Sequence, residues 1–184
     1  VKSVKDLIAL ARSRPGQINF GSAGNGSPNH LSMEMFKTMA KVDMTHIPYK
    51  GGSGQMVSDL LAGQVQLASM GLPPAMPYVK SGRLRVIAVT SAKRSPLLPQ
   101  APTVAETGLP GYEVSTWYGL FAPAATPRPV VEKLNAELVR ILALPDVRER
   151  LGAEAYELPA DTPEQFAGLI RAELVKWARV VKET

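Results

Sequence analysis

The chain has 184 residues, 45% hydrophobic and 20% charged, with two histidines, no cysteine and a formal net charge of +5. This is the composition of a globular chain of one domain or two small ones; it excludes a disulfide framework and thiolate chemistry, and no apolar run reaches the length a bilayer demands. The positive charge makes a field that favours anions, but the densest basic groups, Arg12-Ser13-Arg14 and Lys93-Arg94, are too short for a nucleic-acid tract.

In chain order, Ser3 caps a helix expected over residues 4–13, with Leu7, Ile8, Leu10 and Ala11 apolar, and Pro15-Gly16 ends it. Residues 18–20 read as a short strand. Pro28 opens the next helix, whose stripe is Leu31, Met35, Phe36 and Met39. A strand over 44–48 leads to a flexible loop, 51–54, and a helix face of Met56, Val57, Leu60 and Leu61. Strands over 66–70 and 84–90 flank a short helix over 74–80. Short strands alternating with crossover helices argue a parallel α/β sheet.

From Ser91 to Gly111 prolines punctuate the chain, and only 103–107 reads as helix. Strand-like pieces follow at 112–115 and 117–122. A long helix then carries Val130, Val131, Leu134, Leu138, Ile141 and Leu142. Asp146 is placed to cap a short helix, and Thr162 with Gln165 forms a capping box for the last one. Its stripe is Phe166, Leu169, Ile170, Leu174, Trp177 and Val181. After Ala122 there are thus three helical segments and one weak strand, 155–158. These helices need a sheet to cover, so the last third is expected to belong to a second lobe whose strands lie upstream of Val1. Val1 is not an initiator Met, which fits a processed or truncated product.

The stretch Gly21-Ser22-Ala23-Gly24-Asn25-Gly26-Ser27-Pro28 joins the first strand to a helix. It has the glycine spacing of half a P-loop but lacks the Lys-Ser/Thr, and it lacks the third glycine of a dinucleotide fingerprint. Neither Ser22 nor Ser27 has the G-x-S-x-G frame of a hydrolase elbow. No spacing pairs His30 or His46 with a serine, and two histidines in a chain without cysteine give no metal-ligand pattern. No catalytic residue, metal or cofactor is therefore expected. What remains is a loop beyond a strand's carboxyl end, where helix N–H groups and the dipole favour a carboxylate or phosphate. Ser22, Asn25 and Ser27 add neutral donors; the competing reading is a loop that caps its own helix through Ser27. Two further loops share that edge. One offers Tyr49, Lys50 and the N–H groups of Gly51 and Gly52, the other Ser69 and Gly71 before Pro73-Pro74. By itself Lys50 reads as a solvated lysine, and His46 as a strand residue with a hydrogen-bonded ring.

At these residues the chain resembles a known family. "INFGSAGNGSPNHLSMEMF", "HIPYKGGSGQMVSDLLAGQVQL", the segment from "GRLRVIAVTSAKRSPLLPQAPTV" through "TPRPVVEKLNAE", and "TPEQFAGLIRAELVKWARVVKE" are similar to the Bug, or TctC, proteins. These are extracytoplasmic solute-binding receptors of tripartite tricarboxylate transporters. The resemblance implies an α/β, periplasmic-binding-protein-like II fold: one complete lobe, residues 1–115, plus the C-terminal return to an incomplete second lobe, residues 116–184. It implies a small carboxylate or amino-acid-like ligand, membrane transporter or sensor partners, and a periplasmic location with a signal peptide upstream of Val1. Ser22, Ala23, Gly24, Asn25 and Ser27 would hold a carboxylate. Tyr49, Lys50 and Gly51 would shape the next wall, and Ser69, Gly71 and Leu72 the third side. Relatives often carry Asp or Asn near Met70-Gly71; its absence implies a different ligand contact. Exposed apolar faces around Leu138, Leu174 and Trp177 imply a homo-oligomer. The rival readings are an anion-binding α/β transferase or hydrolase, and an inert folding core.

Overall fold

Strand β1, Asn19–Ser22, is the middle of a three-stranded parallel sheet in a computed structural model that describes every residue except Gly51, Ala155, Thr184 and the side chain of Glu183. Helix α1 (Val4–Ser13) precedes it, its first turn held by the Ser3 hydroxyl, which accepts the Asp6 N–H at 3.1 Å. After β1 come α2 (Pro28–Ala40), β2 (Thr45–Pro48), α3 (Ser53–Leu61), β3 (Leu67–Ala68) and α4 (Leu72–Lys80). The strand order is β2-β1-β3, with Phe20 opposite His46 on one side and Leu67 on the other.

The β1-to-β2 and β2-to-β3 connections run in opposite directions across the sheet, so right-handed crossovers put α2 and α3 on opposite faces. The side chains agree with this. Phe20 stacks with His46 and with His30 of α2, whereas Gly21 faces α3. A Cβ on Gly21 would stand 2.7 Å from Met56 Cγ and 3.3 Å from Tyr49 Cε2, so only glycine lets α3 lie this close. Phe20, Met44, Met56 and Val65 are fully buried around the sheet.

Two expectations change here. The buried apolar residues of α2 are Met33, Phe36 and Ala40, not the Leu31/Met35/Met39 row, and Ser32 and Glu34 are buried with them. Both rows have helical spacing. The polar partners of Ser32 select between them, since its hydroxyl meets Tyr112 OH at 2.8 Å. Residues 84–90 form no strand: they contribute one parallel bridge, Val89 to Thr103. Val89 N–H donates to Pro102 O at 2.9 Å and Val104 N–H to Val89 O at 3.0 Å. Pro102 has no N–H with which to extend a ladder, and at Thr103 the chain turns into α5 (Val104–Thr107) through a complete Thr103/Glu106 capping box.

The chain divides into two units, Val1–Thr116 with Val180–Thr184, and Trp117–Arg179. The second unit is helical: α6 (Arg128–Leu142), α7 (Pro145–Ala153) and most of α8 (Pro163–Glu183). The capping box at Thr162 forms as expected, Gln165 N–H donating to Thr162 Oγ1 at 3.2 Å and Thr162 N–H to Gln165 Oε1 at 2.8 Å. Asp146 is not a cap; Leu144 holds that position, Pro145 opens the helix and Asp146 sits in the first turn, where its charge favours the dipole.

The pieces 112–115 and 117–122 are not strands. Val114 N–H makes a single strand-like bond, to Thr90 O. Trp117 and Phe121 put their rings on Phe166, and Gly119 leaves room for that ring between them, so the expected period of two is present without a ladder partner. Of the weak strand at 155–158, Ala155 lies outside the described residues and Tyr156 instead closes α7 through Leu151 O. On α8, Leu174 and Val181 of the expected stripe are exposed, Phe166 and Trp177 are half-buried, and Val180 is buried. Among the described residues no helix is long and apolar enough to cross a membrane.

Candidate functional site

Three parallel strands end at one edge, and each hands over to a helix there: β1 to α2 across residues 23–27, β2 to α3 across 49–52, β3 to α4 across 69–71. Connections leave β1 toward β2, while β3 lies on the other side of β1. This is the switch-point arrangement that opens a crevice beyond the strand ends. The helix starts differ. Ser27 caps α2, its hydroxyl accepting the His30 N–H at 3.3 Å, so the self-capping reading of that residue is correct. Helices α3 and α4 begin at Gly52 and Gly71, which have no side chain to cap them. Their first-turn N–H groups keep the partial positive charge of a helix start.

In the first loop, Gly24 and Gly26 have φ of +122° and +72°, and the space where a Cβ would stand is open at both. Ser22 is completely buried. Its hydroxyl lies 2.6 Å from His46 Nε2, donates to Gly24 O and accepts the Gly24 N–H, both at 3.1 Å. Gly26 N–H donates to His30 Nδ1 at 3.1 Å. The serines expected to face a ligand therefore shape the loop. The donors left open among the described residues are the backbone N–H groups of Ala23 and Asn25 and the exposed Asn25 side chain.

In the second loop Tyr49 turns onto α3, its hydroxyl donating to Asp59 Oδ2 at 2.9 Å. Burial, then that carboxylate, pushes the phenol upward. Lys50 is exposed, and Gly51 lies outside the described residues. In the third loop Ser69 O accepts from Asn29 Nδ2 at 2.5 Å, and Ser69 Oγ meets Ser32 Oγ at 3.1 Å. Ser32 in turn bonds Tyr112, whose hydroxyl donates to Ser32 O at 3.0 Å and is pushed up to about 12 by burial. Gly71 is exposed and Leu72 half-buried, at the start of α4.

Sequence reasoning missed three of these residues: Asn29, Ser32 and Tyr112, which tie the third loop to α2. His46 is, as expected, a strand residue with a hydrogen-bonded ring, and the partner of that ring is Ser22. Tyr112 is 80 residues from Ser32, and no local pattern signals that pairing. His46 carried a signal, since the strand register sets it beside β1. The expectation that no base stands beside a serine is overturned: adjacent parallel strands bring Ser22 and His46 together across 24 residues. Burial, then the neighbouring His30, holds the His46 imidazole below its ordinary value. The Ser22 oxygen it touches is nevertheless sealed from solvent, so what the pair does in this geometry is hold the loop. Among the described residues no three His, Asp or Glu side chains cluster as a metal site.

An edge of uncapped helix starts, open glycine backbone and neutral amides has the donor chemistry that suits an anion. The chain matches the family described as "Tripartite tricarboxylate transporter family receptor" over residues 1–184, and it belongs to that family. A relative from a Pseudomonas species is 40% identical over 183 residues, 99% of this chain and 54% of its own length. Protein BugT of Bordetella pertussis is 36% identical, covering 99% of this chain and 56% of that protein. Two solved structures are similar throughout. "R. palustris Rpa4515 with adipate" has a TM-score of 0.88 at 40% identity, over 100% of this chain and 61% of that one. "MatC (Rpa3494) from Rhodopseudomonas palustris with bound malate" has a TM-score of 0.80 at 35% identity, over 98% and 62%. The fold is therefore that of the α/β periplasmic binding proteins of this family, and the chain spans little more than half the length of these relatives.

Proposed function

We propose that this chain supplies one wall of a carboxylate site in a periplasmic solute-binding receptor, and that it captures its ligand without chemistry. The observation that carries this reading is the convergence of three loop-to-helix turns at one sheet edge, with open N–H groups at Ala23 and Asn25 and uncapped starts at α3 and α4. Neutral donors with dipoles hold a carboxylate without a buried cation, and the field of a +5 chain adds attraction. Ser22 and Ser27 act through the loop they shape. Gly24 and Asn25 face the ligand, Lys50 and Gly71 border it, and Tyr49, Ser69 and Leu72 set the walls. The solved neighbours with adipate and malate make linear dicarboxylates and hydroxy-dicarboxylates the first class to test. The partners of the whole receptor would be the membrane subunits of a tripartite transporter.

Calorimetric titration with adipate and malate tests the reading. We expect saturable binding, weakened at least about tenfold by Gly24→Val, which fills the open space and burdens a left-handed backbone, a loss of ~1.4 kcal/mol. No heat with either acid, or unchanged affinity in the variant, would contradict it. The enzyme alternative draws on the Ser22–His46 pair; ester turnover abolished by Ser22→Ala would establish it instead. Leu174 and Val175 stand two-thirds and three-quarters exposed on α8. An apolar face of this kind supports self-association, which sedimentation velocity reads directly.

A further inference from the structure

We infer that His30 is a positioning residue whose protonation unlatches the 23–27 loop, so that the loop keeps its present form only while His30 Nδ1 carries a lone pair. The geometry leaves one tautomer. Gly26 N–H points at Nδ1 from 3.1 Å, so Nδ1 must accept. The remaining ring proton then sits on Nε2, which faces Glu34 Oε1 at 3.5 Å. A proton added at Nδ1 sets two donors against each other at hydrogen-bond distance, and the Gly26 N–H loses its partner. Gly26 is at φ +72° with open space around it, so the loop is free to respond.

Charged and titratable groups face the ring from its neighbours. From α2, Glu34 Oε1 stands 3.5 Å from Nε2 and is itself bonded by Lys37 at 2.9 Å. From β2, His46 stacks on His30 with ring centroids 3.9 Å apart, so a proton on one ring opposes a proton on the other. From β1, the face presented is Phe20, uncharged. The Tyr49–Asp59 pair lies with α3, on the face of the sheet that Gly21 turns toward. Two histidines thus hold the loop at both ends, His46 through Ser22 and Gly24, and His30 through Gly26. Release would free the Gly26 N–H and add a positive ring beside the anion edge. That consequence for capture rests on the carboxylate reading; the latch itself does not.

The test uses the ligand-free chain, labelled with nitrogen-15. Between about pH 8 and pH 5, the Gly26 amide resonance should titrate with the same midpoint as the His30 ring. Its exchange with solvent, corrected for intrinsic pH dependence, should quicken about fivefold, as for loss of one neutral hydrogen bond. His30→Gln, whose amide oxygen can accept the same N–H without titrating, should leave Gly26 flat across the range. His30→Ala should show the open-loop exchange at every pH. A Gly26 amide that ignores pH in the unmodified chain, or one that titrates equally in His30→Gln, would overturn the inference. Because no carboxylate is added, a chain that bound none would still reveal the latch.

Discussion

His46 shows how one half-buried ring links fold and function. It stands against Phe20, His30 and Ser22, and its proton affinity is depressed by burial and by the neighbouring ring. In the unfolded chain it returns to its ordinary value of 6.5. Below that pH the unfolded state binds a proton that the folded state refuses, so stability falls as pH drops from about 6.5 toward the lower folded value, and is unaffected by this group above it. Urea midpoints measured from pH 8 to pH 5 should therefore be level at first and then decline. His46→Gln should flatten the decline, and a decline of equal depth in that variant would assign it to other groups. At the same scale, Ser22 was expected to contact a ligand because serine hydroxyls in glycine loops do so. It stands opposite Pro48 and diagonal to His46 across the strand pair, and its hydroxyl turns onto the imidazole instead.

At the scale of elements, what was legible followed local chemistry. Ser3, Ser27 and Thr162 each start a helix with the side-chain bond their residue type implies, and Thr103, expected only as part of a helix, is the cap of α5. Thr162→Ala removes the acceptor for Gln165 N–H, and should cost about 1 kcal/mol in chemical unfolding of the second unit. Thr162→Ser should restore most of it, and a neutral Ala variant would mean that the box contributes nothing. What was not legible depended on partners far along the chain. Residues 84–90 have the apolar content of a strand, yet the neighbour they meet is Pro102-Thr103, which offers one bridge. Residues 117–122 alternate as a strand should, yet their period is spent on Phe166. The buried face of α2 turned on Tyr112 rather than on counting apolar residues.

At the scale of the molecule, the parallel sheet and the three convergent loops were readable because alternating strands and helices fix the direction of every crossover. The side of each loop that faces outward was not, because hydroxyl and imidazole bonds across strands decide it. If the carboxyl edge of the sheet receives a carboxylate, amide shift mapping with a linear dicarboxylate will show it. We expect saturable shifts at Ala23, Asn25, Ser53 and Leu72, with the amides of α6 and α7 still. Shifts centred on the second unit, or none at millimolar acid, would contradict it.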